Sequence, residues 1–69
     1  MKFIEILPFE YDYKLEIIEL EIIYLNIDQI KSISPIGETG RTIIKLLDND
    51  EILSIEPIYK ILDKLKNAK

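Results

Sequence analysis

Neither cysteine nor histidine occurs anywhere in the chain, and at 69 residues that removes most of the ways a small domain holds itself together. A domain of about 60 residues buries only about 60% of the surface its unfolded chain exposes. Natural domains of such length add disulfides, a structural metal or a partner subunit. Without cysteine there is no disulfide and no thiolate metal site. Without histidine the commonest transition-metal ligand and the commonest general base are gone as well. A dense core or self-association remains, and no metal or cofactor is expected.

The apolar residues that must build that core are dominated by isoleucine, joined by leucine and four tyrosines. Side chains branched at Cβ fit a pleated sheet better than a helix. The formal charge of −4 is unevenly spread. Residues 1–24 carry Glu5, Glu10, Asp12, Glu16, Glu19 and Glu21 against Lys2 and Lys14, so the whole excess sits in the first third. An acidic surface cannot replace the counterions of a nucleic acid, which disfavours that class of partner. Met1 to Glu5 lacks the basic segment and long apolar run of a signal peptide, and no apolar run approaches the length of a membrane span. The cytoplasm of a bacterium, or of a cell infected by a virus, is the expected location.

Along the chain, Lys2–Leu7 reads as a strand that Pro8 ends or places at a sheet edge. Phe9 to Lys14 then alternates ring and charge, and at strand spacing Phe9, Tyr11 and Tyr13 share one face. Leu15–Leu25 has no clean polar face as a helix, because its glutamates scatter around the axis. As a strand it places Ile18, Leu20 and Ile22 together, with a bulge or turn near Ile17–Ile18 or Ile22–Ile23. Asn26-Ile27-Asp28 is a turn, or one turn of helix capped by Asn26. Ile30–Ile36 is a short strand, followed by the flexible connection Gly37-Glu38-Thr39-Gly40-Arg41. Thr42–Leu47 and Glu51–Glu56 form a hairpin around Asp48-Asn49-Asp50. A helix over residues 57–67 follows, with Pro57 in its first turn and Ile58, Ile61, Leu62 and Leu65 as one apolar stripe. The fold class is α+β: one domain over residues 1–69, with a small antiparallel sheet of four to five strands and one C-terminal amphipathic helix.

From Tyr24 to about residue 66 the order of these segments resembles the FlbD-like small proteins found beside flagellar genes. The matching residues are Leu25-Asn26, Ile30 with Ile33, Thr42-Ile43-Ile44-Lys45-Leu46 before Asp48-Asn49-Asp50, and Ile55-Glu56-Pro57 before Tyr59-Lys60-Ile61-Leu62. The glycine typical of that family's turn is replaced here by Asn49-Asp50, and Pro8–Leu20 has no counterpart. The resemblance implies a strand–strand–helix fold and a regulatory or interaction role without catalysis.

The residues themselves also argue against an enzyme. Ser32, Ser34 and Ser54 have no histidine to activate them, and Lys31 and Ser32, as neighbours on a strand, point to opposite faces. Asp48, Asp50 and Glu51 cluster at a wet hairpin tip without the spacing of a calcium loop. Two candidate sites remain. Phe9, Tyr11 and Tyr13 offer aromatic contact area, set among acids that suit a basic or apolar protein partner. Gly37, Thr39, Gly40 and Arg41 form a loop whose backbone N–H groups and single arginine suit a small anion such as a nucleotide, although the loop is not a Walker motif. The leading expectation is a non-enzymatic interaction or regulatory module that self-associates through sheet edges. The alternative is a nucleotide-binding or sequestering oligomer of bacterial or phage type.

Overall fold

A computed structural model describes residues 2–68. Seven short antiparallel strands and one helix follow one another: β1 (Phe3–Ile6), β2 (Phe9–Tyr11), β3 (Ile17–Glu19), β4 (Ile23–Asn26), a 3-10 turn (Ile27–Gln29), β5 (Ile30–Pro35), β6 (Thr42–Leu46), β7 (Glu51–Ser54) and α1 (Ile58–Asn67). Four to five strands were expected. The number is larger because Phe9–Tyr11 forms a strand of its own after the break at Pro8, and the expected Leu15–Leu25 run is broken once.

Those breaks lie opposite each other in one long hairpin. β1 pairs with β4 (Ile6 opposite Ile23) and β2 with β3 (Phe9 opposite Glu19). Between these pairs the second arm holds one more residue than the first, which is a bulge over Leu20–Ile22. On the first arm the break is Leu7-Pro8, where proline supplies no ladder N–H. The kink is used: the Leu7 carbonyl accepts from the Ile55 N–H at 3.0 Å, and Pro8 bridges to Ser54. There the hairpin joins the second sheet, the meander β5-β6-β7.

The two tight turns share one geometry. In each, three residues link a closing pair: Tyr13-Lys14-Leu15 between Asp12 and Glu16, and Leu47-Asp48-Asn49 between Leu46 and Asp50. In each an aspartate oxygen accepts a nearby N–H: Asp12 from Lys14 and Glu16, Asp48 from Asp50. In each the third residue has positive φ, +61° at Leu15 and +73° at Asn49. Loops of this length need such a residue. Asparagine tolerates it, whereas leucine pays a steric cost there. Asn26 caps the 3-10 turn through its side chain, which accepts from the Asp28 N–H.

The core is Ile4 and Ile6 of β1, Ile44 of β6 and Ile61 of α1, flanked by half-buried Leu25, Ile27, Ile30, Ile33, Leu46, Ile52 and Leu65. The helix packs against β1 and β5. It begins one residue later than expected, with Pro57 in extended conformation as its N-cap. Ile58, Ile61 and Leu65 face inward, but Leu62 lies on the outer side with Tyr59. Lys64 fastens the helix: its ammonium donates to the Glu5 carbonyl at 2.8 Å and to the Glu56 carboxylate. Thr42 and Ser54 are buried opposite each other across β6 and β7. Thr42 donates to the Glu56 carbonyl, and Ser54 accepts from the Glu56 N–H. These buried hydroxyls anchor the junction that aims the helix.

Candidate functional site

The outer side of β3–β4 has no partner strand among the described residues. The direction of its backbone groups follows from the pairing. Ile27 N–H donates to the Lys2 carbonyl, and Leu20 N–H to the Pro8 carbonyl. In an antiparallel ladder hydrogen-bonded pairs alternate with open ones. Ile23 and Leu25 therefore bond inward to β1, while Tyr24 directs its N–H and C=O outward and Asn26 its N–H, the Asn26 carbonyl serving the 3-10 turn that it caps. By the same alternation Ile17 and Glu19 point outward in β3. The result is a backbone edge of outward donors and acceptors, interrupted only by the bulge.

Apolar side chains accompany that edge. Ile18, Leu20, Ile22 and Ile23 are all substantially exposed, and Tyr24 is 70% exposed. A lone exposed isoleucine is unremarkable on a protein surface, but a contiguous row beside an open edge is not. The molecule measures 38 × 23 × 20 Å. Its surface of 4991 Å² is about a tenth above the roughly 4,500 Å² typical of a folded monomer of 8.1 kDa.

The three rings expected on one face are separated by the turn. Phe9 is 2% exposed and belongs to the interior, where it also lines a groove beside the Leu20–Ile22 bulge. Tyr11 packs edge-on against it with ring centroids 5.3 Å apart, and remains partly exposed. Tyr13 has left the strand for the turn and is 90% exposed, beside Leu15 at 79%. Two large apolar groups thus stand at the tip, one of them on strained backbone. Replacing Leu15 with asparagine, the residue at the matching place in the other turn, is expected to stabilise the monomer by about 0.5–1 kcal/mol. At this chain length that raises Tm by about 2–8 °C, readable by thermal unfolding in dilute solution. An unchanged or lower Tm would show that the turn carries no such strain.

The other expected site is arranged differently from an open anion cradle. Gly37 and Gly40 both have positive φ, as a tight connection demands. Thr39 directs its N–H and its hydroxyl to the Ile36 carbonyl, and Arg41 N–H donates to the Thr39 hydroxyl. The Arg41 guanidinium lies 5.7 Å from the Phe9 ring centroid, over its face. Glu38 sits in the middle of the loop. The Thr39 donors and the Arg41 backbone N–H are engaged within the protein, and the guanidinium is held over the Phe9 ring.

A groove neither expectation included opens where the bulge passes β7. Its volume is about 410 Å³, within the range of ligand pockets. Leu20, Ile23 and Ile52 line it together with Glu10, Glu21 and Glu51, and no basic residue contributes. Sequence reading expected open sheet edges without saying which strand carries one, and it missed this groove. The one available signal was the grouping of Ile18, Leu20 and Ile22, which says that a face is apolar but not whether another element covers it.

Among the described residues no group of three or more acidic side chains is placed to hold a metal ion, and no helix is long and apolar enough to cross a membrane. Comparison with protein-family models, with curated proteins and with solved structures found no match.

Proposed function

We propose that this chain is a non-catalytic interaction module of the cytoplasm that self-associates by pairing the Ile17–Asn26 edge with the same edge of a second copy. The observation that carries the reading is the outward backbone of Tyr24 and Asn26, set among exposed Ile18, Leu20, Ile22 and Ile23. Antiparallel addition around a two-fold axis satisfies each edge with an identical one. Burying the apolar row supplies what a small core lacks. The FlbD-like order of segments from Tyr24 onward adds support, since it implies a regulatory or interaction role.

The same edge would accept an extended segment of another protein, which gives self-association a regulatory use: the dimer hides the surface that a partner needs. The experiment is sedimentation of the wild type beside a chain whose edge is blocked at position 24. The wild type should sediment as a dimer or larger at micromolar concentration, and the blocked chain, having lost edge pairing, should shift toward the 8.1 kDa monomer at that same concentration. A wild type that remains monomeric would remove self-association from the reading.

A further inference from the structure

Two further surfaces lie on different parts of the fold, the first of them sharing Leu20, Glu21 and Ile23 with the edge. One is the acid-rimmed groove beside the bulge, with Leu20, Ile23 and Ile52 as apolar lining and Glu10, Glu21 and Glu51 as its only charges. The other is the outer face of α1. At 100° per residue, Tyr59, Leu62 and Lys66 fall on one side of the helix with Lys60 beside them. All four are exposed, while Lys64 is turned inward to Glu5 and Glu56. Asp63 is the one acid on this outer face.

We propose that these surfaces are complementary halves of a second interface, in which the helix of one copy docks in the groove of the next. Tyr59 and Leu62 supply the apolar anchors, spaced as a helix laid in a groove requires. A tyrosine entering an apolar cleft is the kind of contact that dominates interface energies. Lys60 and Lys66 then approach the carboxylates of Glu10, Glu21 and Glu51. A second copy is the occupant because one chain carries both the acidic apolar cleft and the basic apolar helix. The helix is bound to its own β1 and β5, whereas the groove lies between the hairpin and β7. The contact joins unlike patches, so it propagates head to tail and generates a ring or a chain of subunits instead of closing as a dimer.

This interface does not rest on edge pairing, and it is tested with the edge removed. In a Tyr24→Pro background, one chain carries Glu21→Lys and Glu51→Lys, and another carries Lys60→Glu and Lys66→Glu. All four positions are exposed, so both chains should keep the circular dichroism of the parent. Alone, each places like charges across the contact and should associate about tenfold more weakly than the parent. Mixed in equal amounts, every groove meets a helix of opposite charge, and association should return to within about threefold of the parent. Tyr59→Ser should weaken association with no change in net charge. Raising salt from about 0.05 to about 0.5 M should weaken the parent, as screening shortens the reach of surface charge. A parent that is monomeric at its highest soluble concentration would overturn the proposal, as would separate variants that associate like the parent or a mixture that stays dissociated. Failure of the edge reading looks different: Tyr24→Pro would leave wild-type association unchanged while mixing still restored it.

Discussion

Ile44→Ala is expected to leave the chain largely unfolded at room temperature. Ile44 is fully buried in the central strand β6, opposite Ile33 of β5 and Ile52 of β7 in register, and it joins the cluster with Ile4, Ile6 and Ile61. Truncating such a side chain costs about 2–5 kcal/mol, part of it lost transfer energy and part the cavity left behind. A core in a chain of this size supplies only about 3–5 kcal/mol. The loss therefore matches the whole margin. Urea unfolding followed by circular dichroism checks it, at several protein concentrations because association adds to apparent stability. Ile18→Ala, on an exposed isoleucine, serves as the control and should cost about 0.5 kcal/mol or less in the monomer. A loss under about 1 kcal/mol at Ile44 would show that the sheet and helix do not share one core.

Tyr24→Pro is expected to break the edge-paired contact while leaving the monomer folded. The Tyr24 N–H points away from β1, so proline removes no hydrogen bond inside the domain, and edge strands accept proline for that reason. The side chain is mostly exposed, so little burial is lost. At the interface the effect is large. Each partner loses one donor, and the carbonyl opposite is left buried without a bond, at about 1–3 kcal/mol. A two-fold doubles that to about 2–6 kcal/mol, a weakening of about thirtyfold or more. The matching substitution Leu25→Pro breaks a bond to β1 and should unfold the monomer, which separates edge blocking from general damage.

How much of this was legible in the sequence depended on whether a local rule also governed the tertiary outcome. Thr42–Leu46 and Glu51–Ser54 were readable because alternation and the Asp48-Asn49-Asp50 turn agree, and Asn49 suits the positive φ that the turn needs. The helix after Pro57 was readable from its spacing, within one residue. Leu62 was placed inward by that spacing and is outward in the structure, because the stripe is one residue wider than the surface that β1 and β5 offer. Residues 8–22 were the hardest. Pro8 and the bulge reset the alternation between paired arms, and Leu15 adopts a conformation that its residue type disfavours. The ring-and-charge pattern of Phe9 to Tyr13 suggested one shared face, but Asp12 turns the chain before the third ring. Phe9 falls inside because the kink at Pro8 brings it under β7. Whether an apolar face such as Ile18–Ile22 meets another strand or solvent is decided by topology, which alternation does not encode.

Amide hydrogen exchange on the wild type, read residue by residue across a dilution series, tests most directly whether this edge is the association surface. In concentrated solution the Tyr24 and Asn26 amides should exchange slowly, and on dilution they should become as fast as those of an open loop, while Ile23 and Leu25 stay protected throughout. Tyr24 and Asn26 amides that exchange quickly at every concentration, while the particle grows in mass, would place the contact elsewhere and refute edge pairing.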